Sequence, residues 1–299
     1  MYLYFDHAEG NVFRPPSEAY SFILRVTIGC SHNACTYCNM YRSVKFRTRP
    51  MDEIITQINA AKPYAQHIRR IFLADGNALV LSTDKLLTIL TILQQTFPRL
   101  QRVSCYAGPK DMLNKTRAEL IALREAGLKL VYYGLESGDE VVLRAVNKGV
   151  SAAEAIEAGQ RIVAAGIKLS VMVIAGLGGK ENSSRHANNT AQAINAIRPN
   201  MLSALTLMLY RGSELLDQFE RGEFTPLPPA GIMGELYELV SGIELPLASH
   251  CLFRSTHISN HIALAATLPK DKDRLLDDIR AAQAQLAHVT DWDPYNNVE

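Results

Sequence analysis

The chain has 299 residues, 47% of them hydrophobic, and its 31 Lys plus Arg against 30 Asp plus Glu leave a formal net charge of +1. That length holds one α/β barrel of about 250 residues with short extensions, and the balanced charge argues against a nucleic-acid surface. No apolar run approaches the ~20 residues that cross a bilayer. Met1 to Gly10 carries Asp6 and Glu9 where a signal peptide has its apolar core, so a cytoplasmic protein is expected.

Residues 1–20 read as irregular, with Pro15-Pro16 holding the chain extended. A β-branched run over 22–28 predicts the first strand, and a loop with three cysteines leaves its C-terminal end. Pro50 opens a helix over 51–61. A second strand covers 70–74 and ends at Asp75-Gly76-Asn77, and Ser82-Thr83-Asp84 opens the next helix. The third strand covers 102–107, and a helix over 116–126 follows, stopped by Gly127. The fourth strand covers 128–133 and runs into Gly134-Leu135-Glu136-Ser137-Gly138-Asp139. Ser151, with Glu154 three residues on, predicts a capping box on a helix over 151–165. The fifth strand covers 168–175 and ends at Gly176-Leu177-Gly178-Gly179, with a helix over 184–197 after it. The sixth strand covers 202–209 and ends at Tyr210-Arg211-Gly212. Beyond it the rhythm weakens: a helix over 230–241, a short strand over 245–249, a polar loop over 249–261, a helix over 269–287 and a tail.

Six β-then-α units with continuous apolar strands imply a parallel sheet with right-handed crossovers. The expected fold class is α/β, a partial (β/α)6 TIM-like barrel with a C-terminal extension. The expected organisation is an N-terminal extension over 1–21, the barrel over 22–215, and an extension over 216–299 that closes the barrel mouth. In such barrels chemistry sits in the loops at the C-terminal strand ends. The cysteine loop, Asp75-Gly76, Glu136-Ser137-Gly138 and residues 176–179 all occupy that position.

Cys30, Cys35 and Cys38 are spaced C-x4-C-x2-C. Soft thiolates this close together select zinc, copper(I) or an iron–sulfur cluster. A structural zinc site closes with four ligands, and here the local set stops at three, with Cys105 and Cys251 far off in sequence. His32 would complete a zinc site. A disulfide framework fits poorly with five cysteines and no secretory signal. Three ligands on a cluster leave one iron open to a ligand from outside the chain.

The cysteine loop resembles that of the radical S-adenosylmethionine (SAM) superfamily, whose usual spacing is C-x3-C-x2-C with an aromatic residue before the last cysteine. Tyr37 fills the aromatic place, and the first gap is one residue longer here. The run from Gly134 to Asp139, followed by Asn147-Lys148-Gly149, is similar to the subgroup containing coproporphyrinogen dehydrogenase and the methylthiotransferases. The resemblance runs in the family's order over residues 22–215. It implies that Cys30, Cys35 and Cys38 hold a [4Fe–4S] cluster whose open iron takes the amino and carboxylate groups of SAM. It implies a low-potential electron donor of the flavodoxin or ferredoxin type. It also implies cleavage of SAM to a 5′-deoxyadenosyl radical that takes hydrogen from a small-molecule substrate, in oxidoreductase- or lyase-type chemistry.

The other mouth segments each carry two readings. Asp75 and Gly76 form a plain turn, or a backbone edge for the SAM amino group where the family usually has Gly-Gly-Glu. Glu136 is a solvated carboxylate beside the helix-capping Ser137, or the acceptor for ribose hydroxyls. Gly176 and Gly178 make a strand-to-helix turn, or let a flat base approach backbone. Arg185 is a surface residue or a clamp on the SAM carboxylate, and Tyr210 a core residue or a border of the adenine. The 249–261 segment is a solvated loop or the substrate reader. In the second case Arg254 clamps a carboxylate or phosphate, His250, His257 or His261 handles protons, and Asn260 is a further candidate substrate residue. RNA modification is the second enzymatic reading. A carrier that binds a cluster, metal or haem and hands it on is the non-enzymatic one.

Overall fold

The computed structural model describes residues 3–6 and 10–289, so the expected tail lies outside the described residues from position 290 on. The chain forms two compact units. The first comprises Met1–Asn33, Met40–Tyr133 and Arg161–Leu169. Its elements are β1 (Leu3–Tyr4), β2 (Phe22–Arg25), β3 (Thr27–Ile28), β4 (Arg47–Thr48), α1 (Met51–Ala61), β5 (Arg70–Ala74), α2 (Thr83–Thr96), β6 (Arg102–Ala107), α3 (Pro109–Leu113), α4 (Arg117–Glu125) and most of β7 (Leu128–Glu136).

Strands β1, β2, β5, β6 and β7 pair in parallel in that order. All four residues of β2 and the last four of β5 are buried, as strands covered on both faces must be. Tyr106 and Tyr132 face each other across β6 and β7, and both rings meet Phe72 of β5 edge-on at 5.1 and 5.9 Å. Ser82 caps α2, and Thr116 with Glu119 forms a reciprocal capping box on α4. Gly127 then takes the left-handed conformation that ends the helix (φ 112°).

The first strand differs from expectation. The run over 22–28 breaks at Val26: β2 stays in the main sheet, while β3 turns away to pair antiparallel with β4, Thr27 facing Thr48 and Ile28 facing Arg47. The hydrophobic run could not show this break, because both pieces are fully buried.

The second unit comprises Ala34–Asn39, Gly134–Gln160 and Ser170–Glu299. It holds α5 (Glu140–Ala145), most of α6 (Ala152–Ala164), β8 (Lys168–Ala175), α7 (Gly179–Ile197), β9 (Met201–Thr206), α8 (Glu214–Glu220), α9 (Pro229–Ser241), β10 (Cys251–Ser255), β11 (Leu264–Leu268) and α10 (Lys272–Leu286). Strands β8, β9 and β10 run parallel, and β11 returns antiparallel to β10. Helix α9 packs against both α7 and α10. The capping box at Ser151 and Glu154 is present in both directions.

Two expectations for the C-terminal part are corrected. The short strand expected over 245–249 is irregular, with a turn closed by Ser249 N–H on the Pro246 carbonyl. The polar loop expected over 249–261 contains β10, where Cys251, Phe253 and Ser255 point inward and Leu252 is exposed. Inward cysteine and serine hid a period-two pattern that polar content alone had suggested was a loop. Among the described residues no helix is long and apolar enough to cross a membrane.

Candidate active site

In the first unit the residue before Cys30 is clamped twice. Asp75 Oδ2 accepts from the Gly29 N–H at 3.1 Å, and the Gly76 N–H donates to the Gly29 carbonyl at 3.1 Å. Asp75 sits in the left-handed region (φ 75°), which costs a non-glycine residue energy unless its surroundings hold it there. Arg25 supplies that hold: its Nε and Nη2 reach Asp75 Oδ2 at 3.2 and 2.8 Å, and both side chains are fully buried. Burial raises the Asp75 pKa, and Arg25 and the Gly29 N–H act against that rise. The carboxylate therefore points into the core, and the N–H of Gly76 is committed to Gly29. Gly76 has no room for a side chain, since a Cβ there would stand 2.8 Å from Cys30 Cβ.

Around Cys30 the loop is held by amides. The Asn33 N–H lies 3.5 Å from Cys30 Sγ, and Asn33 Nδ2 donates to the Tyr41 carbonyl at 2.9 Å. Asn77 donates to Ser31 Oγ at 2.7 Å and to Asp111, and accepts from the Gly108 N–H at 3.2 Å. Sequence reasoning passed over Asn77 as a third turn residue.

In the second unit Cys35 and Cys38 lie on a segment stitched to its neighbours by backbone. The Thr36 N–H donates to the Val146 carbonyl and the Leu215 N–H to the Thr36 carbonyl, both at 3.0 Å. Asn147 Nδ2 donates to the Ala34 carbonyl at 3.1 Å. Tyr37, between the two cysteines, packs against Val142, Val146 and Leu177. Burial, then the charges of Glu136, Cys35 and Cys38, hold its phenol well above the usual tyrosine range, and the hydroxyl lies near the Glu136 carboxylate.

Glu136 ends β7 in the left-handed region (φ 65°), with Oε1 3.0 Å from Lys148 Nζ. Ser137 and Asp139 are buried beside it. Asp139 caps α5 through the N–H groups of Val141 and Val142. Arg185, expected as a surface residue or a carboxylate clamp, gives its Nε to Asp139 Oδ2 at 3.0 Å with half its side chain exposed. Ser137 Oγ lies 2.8 Å from His186 Nδ1. Gly176 is left-handed (φ 85°), and its N–H donates to Glu235 Oε1 at 2.6 Å. Gly178 stands at the start of α7. Tyr210 is half-buried, with its hydroxyl 3.4 Å from Met208 Sδ and a raised pKa from burial and from Cys38.

The C-terminal residues divide. His250 is exposed. Arg254 lies on β10, where its Nη1 donates to the carbonyls of Phe253 and Ala266. His257 and Asn260 are brought to the end of β9: Asn260 bonds Thr206 Oγ1 and the Ala204 carbonyl, and Ser259 Oγ accepts from the Thr206 N–H while contacting His257 Nδ1 at 2.8 Å. Burial lowers the His257 pKa.

The five cysteines fall into two classes. Cys105 and Cys251 are buried, and burial pushes each thiol up to about 12. Cys30, Cys35 and Cys38 are only half-buried. Among the described residues no three His, Cys, Asp or Glu side chains converge on a point where one metal ion would sit. A four-iron cluster makes no such demand, because each cysteine binds a different iron.

The sequence model of the radical SAM superfamily matches residues 24–187, more than half of the chain. The chain belongs to the radical SAM superfamily. Its fold class is accordingly α/β, a partial TIM-like barrel of mainly parallel strands, and its cofactors are a [4Fe–4S] cluster and SAM. As a radical SAM enzyme it needs a reductant and a substrate. The half-buried thiols of the loop suit cluster ligation, and the protonated, buried Cys105 and Cys251 do not.

Solved structures are similar at low identity. Coproporphyrinogen III oxidase (HemN) from Escherichia coli, a radical SAM enzyme, matches with a TM-score of 0.58 and 17% identity over 74% of this chain and 52% of its own. Methylornithine synthase (PylB) matches with 0.51 and 14% over 88% and 80%. The radical SAM methyltransferase TsrM from Kitasatospora setae, solved with cobalamin and a [4Fe–4S] cluster, matches with 0.50 and 17% over 80% and 42%. At these identities the likeness shows the fold alone. The chain spans about half of the HemN chain and less than half of the TsrM chain. No curated protein matches it.

Proposed function

We propose that Cys30, Cys35 and Cys38 hold the cluster, and that the chain takes a hydrogen atom from a small-molecule substrate in oxidoreductase- or lyase-type chemistry. Held there, the cluster would supply the one-electron reduction, drawn from a flavodoxin- or ferredoxin-type donor, that cleaves SAM to methionine and a 5′-deoxyadenosyl radical. The observation that carries this reading is the contrast between three half-buried thiols in one loop of the matched region and two buried, protonated ones, Cys105 and Cys251, far from that loop in sequence.

The chain's own residues do the positioning. The two-point hold on Gly29 fixes the backbone from which Cys30 projects. Tyr37 fixes the Cys35–Cys38 segment and points its hydroxyl at Glu136. Glu136, whose neighbours Lys148 and Tyr37 orient it, accepts the ribose hydroxyls of SAM. The turn at Gly176 and Gly178 borders the adenine, with Tyr210 at its edge. The Ser259 and Asn260 contacts with Thr206 support a substrate-facing role for the 256–261 loop, with His257 and Asn260 within it. A low His257 pKa suits a neutral imidazole that accepts a proton.

The test is anaerobic reconstitution with iron and sulfide, followed by SAM and dithionite. The expected result is about four irons per chain and release of 5′-deoxyadenosine, abolished by Cys35→Ala and unaffected by Cys251→Ala. Full cleavage by the Cys35→Ala protein, or bound zinc with no cleavage, would overturn the assignment.

A further inference from the structure

Helix α9 is apolar where it is buried, through Ile232, Met233, Leu236, Leu239 and Val240, with one exception. That exception is Glu235, 4% exposed on the same buried face. A carboxylate taken out of water costs several kcal/mol unless donors replace the water. Here they do: Gly176 N–H donates to Oε1 at 2.6 Å and Ser183 Oγ to Oε2 at 2.7 Å, with His186 Nε2 3.6 Å from Oε1. One helical turn away Ile232 covers Gly176 so closely that a Cβ on the glycine would stand 2.7 Å from Ile232 Cδ1. The same face of α9 thus seats the glycine turn and satisfies its N–H.

The network continues to β7. His186 Nε2 lies 3.1 Å from the Ile174 carbonyl, which only accepts, so that nitrogen carries a hydrogen. Nδ1 is then free to accept from Ser137 Oγ at 2.8 Å, and Ser137 Oγ in turn accepts from the Asp139 N–H at 2.9 Å. With the ring in this tautomer every hydrogen in the row has an acceptor. Burial works against the ionised form of Glu235, while the hydrogen bonds from Gly176 and Ser183 work for it.

We propose that Glu235 is a positioning residue for SAM, setting the Gly176 turn through its hydrogen bonds and packing beside His186, which bonds Ser137 at the Glu136–Ser137 strand end. The inference rests on the reading of those two segments as SAM-binding. An apolar side chain of the same size would pack α9 as well, so packing does not explain a carboxylate there. A role confined to helix docking would leave SAM affinity in the folded protein untouched.

The test uses cluster-loaded full chain and SAM titration. Glu235→Met keeps volume and removes both acceptors, and SAM binding should weaken roughly tenfold or more with iron per chain unchanged. Glu235→Gln keeps an acceptor for Gly176 and should stay within about threefold of the parent. Glu235→Met binding SAM as tightly as the parent overturns the inference. Absence of SAM binding by the parent overturns the underlying reading instead. Hydrogen exchange on the unsubstituted protein decides the matter if the Met variant does not fold. Because coupling is reciprocal, SAM should slow exchange in 230–237 as well as in 174–179. Protection limited to 174–179 also overturns the inference.

Discussion

Arg25 and Asp75 form an ion pair of 2.8 Å in which neither side chain reaches solvent. Asp6 contributes a second, longer contact to Arg25 at 3.9 Å. The pair holds a left-handed aspartate and, through it, the Gly29 N–H. Removing one partner leaves a buried charge, which typically costs about 3–5 kcal/mol. Arg25→Met is therefore expected to lose about that much stability in urea unfolding. The double variant Arg25→Met with Asp75→Asn should lose less than the single one, since asparagine tolerates the same backbone and needs no counter-ion. Simple additivity of the two single changes would show that the pair is not coupled.

Gly76 and Gly212 make a matched contrast. A Cβ on Gly76 meets Cys30 Cβ and Cα at 2.8 and 2.9 Å, whereas one on Gly212 meets nothing within 4 Å. Gly212→Ala is strained only by its positive φ and should cost about 1 kcal/mol. Gly76→Ala must displace Cys30, so it should lower the iron bound per chain after reconstitution while Gly212→Ala does not. Equal iron content in the two variants would mean that Cys30 placement is not set by Gly76.

The sequence made some of this legible and concealed the rest for identifiable reasons. The strands over 70–74, 102–107 and 168–175 match β5, β6 and β8 residue for residue, because mainly apolar runs bounded by turn residues mark both strand ends. The cysteine spacing and the Glu136 run carried the family. Short helices such as α3 and α5 escaped, since five or six residues show no period. The partners of the site residues escaped too. Arg25 reads as one cation in an apolar strand, and Glu235 as one acid in a helix. Each gains meaning only from Asp75 and Gly176, 50 and 59 residues away.

Glu119 gives a pH signature. Its carboxylate accepts from Thr83 Oγ1 at 2.7 Å and from Thr116 N–H and Oγ1 at 2.8 Å each. These hydrogen bonds, the Thr83 one foremost, lower its pKa from 4.5 to about 2. The folded state then binds fewer protons than the unfolded state between those values, so stability rises with pH there. The contribution is complete above pH 4.5 and is lost as pH falls toward about 2. In Glu119→Gln that part of the acid slope should vanish. Urea midpoints measured at several pH values for both proteins check this, and parallel slopes would remove Glu119 as the cause.

Tyr37 brings one hydroxyl near Glu136 while its ring packs against Val142, Val146 and Leu177. Tyr37→Phe separates the two. The ring keeps its contacts with Val142, Val146 and Leu177, so the segment should stay in place and iron per chain should not change. Glu136 keeps Lys148 but loses a neighbouring hydroxyl. If Glu136 receives the ribose, its orientation is what the hydroxyl protects, and SAM affinity should fall roughly tenfold. A lower unfolding temperature with unchanged SAM affinity would instead make the hydroxyl a purely structural tie. Glu136→Gln distinguishes the cases further. It should weaken SAM binding by itself, and Tyr37→Phe should add little on top of it, because both changes act on the same carboxylate.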